Sequence, residues 1–220
     1  NMLPGYLKVP KAHQNSLAQY TKENSPSALR EASMNYWSGT PRFMVSLLKA
    51  YYGKKATRET DFGYHNLPKF DADENHDWGH IFDGMYQGKL KGLISFGMNP
   101  VANGPNTSKM IASLSKLKWL IVAECFETET SNFWKADKVD GNYYPNAIAS
   151  EDIDTEVFLL PAACFAEKDG TFVNSSRWLQ WKYSALNPPG QAKPDQEIIA
   201  RIFLRIRELY NEHGGVSPEP

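Results

Sequence analysis

The side chains best placed to do chemistry sit where short apolar runs stop. Gly97, Met98, Asn99 and Pro100 follow the run Leu93-Ile94-Ser95-Phe96, and Glu124 closes the run Trp119-Leu120-Ile121-Val122-Ala123. Glycine lets a ligand approach the backbone closely. Asn99 and Asn103 offer amide hydrogen bonds. A helix expected just beyond them directs backbone donors and its positive dipole end toward the loop, which suits a phosphate. Glu124 can accept from ribose hydroxyls or from the donor edge of a guanine, the part an acid plays in dinucleotide sites. It lies 27 residues after Gly97, where such sites use about 20. No G-x-G-x-x-G or P-loop string is present, so an ordinary strand-to-helix turn is the competing reading.

Other reactive residue types read as structural. His76 and His80 are four apart among Asp73, Glu74, Asp77 and Asp83. A metal would need both imidazoles on one helical face and a third ligand, whereas Asp77 is explained as a helix cap, so no metal site is expected. Cys125 and Cys164 are expected to be small buried residues, not nucleophiles. Trp178, Trp181, Tyr183 and Phe172 have the composition of a base-stacking platform, but no basic groove accompanies them, so packing is expected.

Two regions must position these residues. Residues 1–90 read as a helical, loop-rich extension and residues 91–220 as an α/β domain. Ser25-Pro26 and Thr40-Pro41 each carry the signature of a cap followed by proline at the first helical position. Phe43, Met44, Leu47, Leu48 and Tyr51 recur at helical spacing until Gly53. Asp77 can cap a third helix with Trp78, Ile81, Phe82 and Met85 on one face, and the polar stretch 54–76 reads as loop. Three buried strands are expected over 93–96, 119–123 and 157–160, the last stopped at Pro161. Between the first two, residues 98–105 read as loop. Met110, Ile111, Leu114 and Leu117 then make a helical stripe capped by Asn106 or Thr107, with Lys109, Lys116 and Lys118 facing water. A turn, with a hairpin as one option, falls at Lys168-Asp169-Gly170-Thr171. The last helix, capped by Asp195 and ended by Gly214-Gly215, places Ile198, Ile199, Ile202, Phe203, Ile206, Leu209 and Tyr210 on a face expected to be buried, at about 1.5–3 kcal/mol per side chain. The fold class is α/β: a mostly parallel Rossmann-like sheet with flanking helices, plus a helical or irregular N-terminal extension.

Composition bounds the function. The 220 residues carry 24 basic and 25 acidic side chains and a net charge of −1, which argues against a polyanion binder, so no nucleic-acid partner is expected. Two cysteines cannot complete a four-thiolate cluster. No run approaches the ~20 apolar residues of a membrane span. The start Asn1-Met2-Leu3-Pro4-Gly5 shows no signal-peptide pattern.

Four strings in order carry a resemblance: Gly92-Leu93-Ile94-Ser95-Phe96-Gly97-Met98-Asn99-Pro100; Glu124-Cys125-Phe126-Glu127-Thr128-Glu129-Thr130; Val157-Phe158-Leu159-Leu160-Pro161; and the segment from Ala166-Glu167 through Gly170-Thr171-Phe172 to Asn174-Ser175-Ser176-Arg177. Together they resemble the molybdopterin oxidoreductase superfamily. With Asn35-Tyr36-Trp37-Ser38, Leu114-Ser115-Lys116-Leu117-Lys118 and Trp178-Leu179-Gln180-Trp181, they resemble in particular the catalytic subunits of respiratory formate dehydrogenases, over almost the whole chain.

The resemblance implies an internal piece of such a subunit. The whole enzyme would carry molybdenum or tungsten on molybdopterin guanine dinucleotides and oxidise formate to CO2 in the periplasm during anaerobic respiration. Its electrons would pass to a [4Fe–4S] cluster lying in the full subunit but not in this chain. Its partners would be the rest of the catalytic subunit, an iron–sulfur β subunit and, optionally, a cytochrome subunit. The resemblance places Gly97, Met98, Asn99 and Pro100 in the guanine-dinucleotide site, with Glu124, Thr128 and Thr130 on the nucleoside or phosphates. Asn174 and Arg177 would lie nearer the pterin and cluster. The family's N-terminal cysteine motif is missing, as are the selenocysteine or cysteine metal ligand and its neighbouring His and Arg. Glu124 stands where many relatives carry Asp. No catalytic residue is therefore assigned, and the piece is expected to be inactive alone. A sister nitrate or polysulfide reductase, or a stand-alone nucleotide-binding module, are the alternatives.

Overall fold

In the computed structural model, residues 7–25, 39–70, 75, 77–139, 144, 148–174 and 178–215 are described. They fall into two compact units, one within 1–75 and 171–180, the other within 76–170 and 181–214. His76, Asp73, Glu74, Asn35, Tyr36, Trp37, Ser38, Ser175, Ser176 and Arg177 lie outside the described residues, as does the helix expected after Pro26.

The first unit is held by a small aromatic core. Helix α1 (Leu17–Asn24) starts where the Ser16 hydroxyl accepts from the Gln19 backbone, and Ser25 ends it as a C-cap. Helix α2 (Thr40–Tyr52) has Pro41 in its first turn and stops at Gly53, whose φ of +54° closes the helix onto Lys49 O. Leu17, Tyr20, Met44, Leu48 and Tyr64 pack together, while Phe43 and Tyr51 of the expected stripe are exposed. The stretch expected to be plain loop contains a 3-10 turn, Asp61–Asn66. Asp61 and Phe62 there take φ of +50° and +55°. In that conformation Asp61 accepts from the first amide of α1, Leu17 N, at 2.8 Å, and Tyr64 points into the core. A local polar interaction thus orders a segment with no periodic apolar signal.

The second unit is built around a parallel sheet. Helix α3 (Trp78–Tyr86) is capped by Asp77, which accepts from His80 N at 2.9 Å. Strand β1 (Gly92–Phe96) is followed by a single helical turn, α4 (Pro100–Asn103), where only loop was expected. Pro100 presets the turn and Gly104 N closes it on Pro100 O at 2.8 Å. Helix α5 (Thr107–Leu114) is capped by Asn106, and Lys109, expected to be simply solvated, pairs with Asp83. Strands β2 (Trp119–Glu124) and β3 (Glu156–Pro161) complete a sheet of order β1-β2-β3. All pairings are parallel, with Leu93, Leu120 and Val157 in one cross-strand row and Ile94, Ile121 and Phe158 in the next. The face that carries Leu93, Leu120 and Val157 packs on α3 and α5 through Phe82, Met85, Met110, Ile111, Leu114, Leu120 and Val122. Thr155 binds the chain end of α5 to the start of β3, donating to Leu114 O and Leu117 O at 2.9 and 2.8 Å. The α/β class and the parallel sheet are thus as expected.

Three expectations fail beyond β3. Strands β4 (Gly170–Val173) and β5 (Leu179–Lys182) form a two-stranded sheet, so Lys168-Asp169 leads into a strand and is not the connection between the pair. The aromatics expected to be packed inside stay exposed: Trp178 and Phe172 in one unit, and in the other Trp181 and Tyr183, which meet edge-on at 6.1 Å. Two short strands bring too few neighbours to enclose such large rings. Helix α6 (Asp195–His213) runs as expected to Gly214, but Pro194 holds the cap position and Asp195 instead pairs with Lys168 at 2.6 Å. Of the seven apolar residues expected on its buried face only Ile198 is buried, with Ile202 partly so, against Ala123 and Ala162.

Candidate functional site

The carboxyl ends of β1 and β2 are neighbours, because Phe96 pairs with Ala123. Parallel strands end together there, and ligands of open α/β sheets bind beyond such ends. Gly97 sits at φ +58°, and a Cβ added to it would meet no atom within 4 Å. The backbone therefore turns sharply beside open space. Gly97 N donates back to Ala123 O at 3.1 Å, and Ser95 Oγ donates to Met98 O at 3.1 Å, which fixes the turn. Met98 is exposed. Glu124 is half-buried at the next strand end, and its carbonyl accepts from Ala162 N at 3.0 Å.

A polar brace ties the loop after β1 to the loop after β2. Asn99 Oδ1 accepts from Thr130 Oγ1 at 2.8 Å and from Thr130 N at 3.2 Å. Asn99 Nδ2 donates to Glu129 Oε2 at 2.6 Å. Thr130 Oγ1 in turn accepts from Val101 N at 3.1 Å, and Thr130 is fully buried. Thr128 and Ser131 close a turn beneath this brace: Thr128 N donates to Ser131 Oγ at 2.9 Å, and Ser131 Oγ donates to Thr128 O at 2.9 Å. Asn132 Nδ2 donates to Glu127 Oε2 at 2.9 Å. The Asn99 amide beside Glu129 holds that carboxyl below the ordinary carboxylate range.

The structure thus brings Gly97, Met98, Asn99, Pro100, Glu124, Thr128 and Thr130 to one edge of the sheet. Asn174 belongs to the other unit, where its side-chain oxygen accepts from Trp178 N at 3.2 Å. Arg177 falls outside the described residues. The helix termini expected to present donors to the loop are partly occupied. The turn nearest the loop is only α4, whose Val101 amide is already satisfied by Thr130, and the first-turn amide of Lys109 in α5 is satisfied by Asn106 at 3.0 Å. Sequence reasoning quoted Glu129 within a string but gave it no role. The signal was there: an acid between two threonines in a segment lacking apolar period.

Neither cysteine is the small buried residue expected, since Cys125 is exposed and Cys164 half-buried. Each lies just past a strand end, where the sheet no longer covers it. Desolvation, with Cys164 and Glu124 nearby, pushes the Cys125 thiol up, which leaves little nucleophilic thiolate. His80 Nδ1 lies 2.9 Å from Asp77 Oδ1, within the helix cap. Among the described residues no three His, Cys, Asp or Glu side chains converge as metal ligands would. No helix among them is long and apolar enough to cross a membrane.

A model of the molybdopterin oxidoreductase family matches residues 158–205, from β3 into α6. The chain is 45% identical, over 99% of its length, to the formate dehydrogenase-O major subunit of Escherichia coli strain K12. It is 44% identical, over its full length, to the formate dehydrogenase 2 subunit alpha (cytochrome c-553) of Nitratidesulfovibrio vulgaris. A more distant relative, at 32% over 59% of the chain, is the F420-dependent formate dehydrogenase subunit alpha of Methanocaldococcus jannaschii. The chain is thus similar to the molybdopterin oxidoreductase family over residues 158–205 and to formate dehydrogenase subunits over nearly its whole length. It spans 21% of the length of the first two of these relatives, all three of which are formate dehydrogenase subunits.

Proposed function

We propose that this chain is the part of a formate dehydrogenase catalytic subunit that holds one arm of a molybdopterin guanine dinucleotide. The observation that carries the reading is the pairing of strand ends that sets the open backbone at Gly97 beside the half-buried acid Glu124. Gly97 and Met98 would line the nucleotide, and Glu124 would accept from the N–H edge of guanine. Thr128 would face the nucleoside or phosphates. Asn99, Pro100 and Thr130 would act behind them, holding the loop through the brace to Glu129. Asn174 and Arg177 would stand nearer the pterin.

The residues present fit the nucleoside end of the group. Space is open at Gly97, and an anionic acceptor suits the adjacent N1–H and N2–H donors of guanine. None of the assigned residues at this sheet edge is cationic, so the diphosphate would draw on backbone amides and on cations outside this cluster. When bound, the cofactor would supply the metal-centred redox chemistry, with molybdenum or tungsten, while the chain binds and orients it. The substrate would be formate, and electrons would leave through a [4Fe–4S] cluster elsewhere in the subunit toward an iron–sulfur partner in the periplasm. The test is dye reduction by the full-length subunit: formate should drive it, and this chain alone should show none. Reduction of nitrate or polysulfide without formate oxidation would assign a sister enzyme, and formate turnover by the chain alone would place catalytic residues within it.

A further inference from the structure

Parallel sheets are normally covered by helices on both faces, and here one face is only partly covered. The side of the sheet opposite α3 and α5 carries the row Ile94, Ile121 and Phe158. Ile94 and Phe158 are each 43% exposed. In the adjoining row Trp119 is 38% exposed and its ring lies flat across Gly92, in the space a Cβ would need. Only the next row, Phe96, Ala123 and Leu160, meets α6, through Ile198 and Ile202. Along the same stripe of α6, exposure then rises to 47% at Ile206, and Phe203 on the neighbouring stripe reaches 58%. At about 1.5 Å per residue α6 is roughly 28 Å long, yet only its first turns touch the sheet.

We infer that a helix from the remainder of the same polypeptide seats an apolar face on this row and against the outer stripe of α6. The inference rests on the reading of the chain as part of a larger subunit. Three observations favour that occupant. The half-exposed row is apolar and runs across three strands, the kind of surface that helices cover in α/β sheets. It is continuous with a face that α6 already covers in part. In the relatives, about four-fifths of the polypeptide lies outside the matched segment, which is 21% of their length, so ample chain exists to cover it without a second molecule.

The experiment uses the full-length subunit. With Phe158 replaced by p-benzoylphenylalanine, irradiation should link position 158 to a peptide of the same polypeptide outside residues 1–220. In a second variant, Ile94→Cys, maleimide should react about 100-fold more slowly than in the urea-unfolded subunit, as for a segment reached only by local opening. A link confined to residues 1–220, a link to a second copy or another subunit, no link, or labelling at the unfolded rate while molybdenum remains bound would each overturn the inference. The proposed function is tested separately, by the molybdenum content and formate oxidation of the unsubstituted subunit, both of which a bare sheet face would leave intact.

Discussion

Asn99 uses its amide in both directions, accepting from Thr130 and donating to Glu129, and so joins the loops after β1 and β2. Thr130→Val keeps the shape of the buried side chain but leaves Val101 N without its acceptor. A buried donor left unpaired costs about 1–3 kcal/mol, so the denaturant midpoint of the variant should fall accordingly while its m-value stays unchanged. The contact to Glu129 is pH-dependent with a definite sign. The Asn99 hydrogen bond lowers the folded-state carboxyl below its unfolded value. Its stabilisation is therefore complete above the unfolded value of about 4.3 and is lost as pH falls through the folded one. The difference in midpoint between wild type and Glu129→Gln should be constant near neutrality and shrink only below about pH 4; a difference that grows on acidification would contradict the assigned bond. At this scale the sequence pointed to Gly97, Asn99 and Thr130, but not to what they touch. Hydrogen-bond partners 29 to 31 residues apart leave no local pattern, which is why Glu129 carried no role.

At the scale of elements, strands were the most legible feature. Runs such as Leu120-Ile121-Val122-Ala123 are too short and too continuously apolar for a surface helix, and flanking turn residues bound them. Capping was legible too, at Asp77, Asn106 and Gly53, because it depends on neighbours in sequence. What was not legible was how much of each apolar stripe is covered. Periodicity says which side chains share a face, whereas burial depends on what lies opposite, and α6 shows the difference: seven apolar residues align, yet one is buried. Residues 54–76 illustrate the converse, since Tyr64 is fully buried with no periodic neighbours. The close approach of Trp119 to Gly92 gives a test of β1–β2 packing. Gly92→Ala would place a methyl within the indole ring, and overpacking of this kind costs about 1–3 kcal/mol. The variant should unfold at lower denaturant with altered tryptophan fluorescence; an unchanged midpoint and spectrum would show that the ring does not lie there.

At the scale of the molecule, the chain is one fifth of the length of its relatives, and its chemistry has to be judged accordingly. Two cysteines exclude a four-thiolate cluster within these residues, not within a larger subunit that contains them. The role proposed for the acid at the end of β2 is to read the guanine of the cofactor. Its most direct measurement is the GMP released by acid hydrolysis, per mole of purified full-length subunit, for wild type and Glu124→Gln. The substitution preserves size while replacing an acceptor-only carboxylate with an amide that presents donors to a donor edge. Substantially less GMP, with molybdenum or tungsten falling alongside it, is expected in a variant subunit that still folds. Wild-type GMP and metal content in the variant would contradict it.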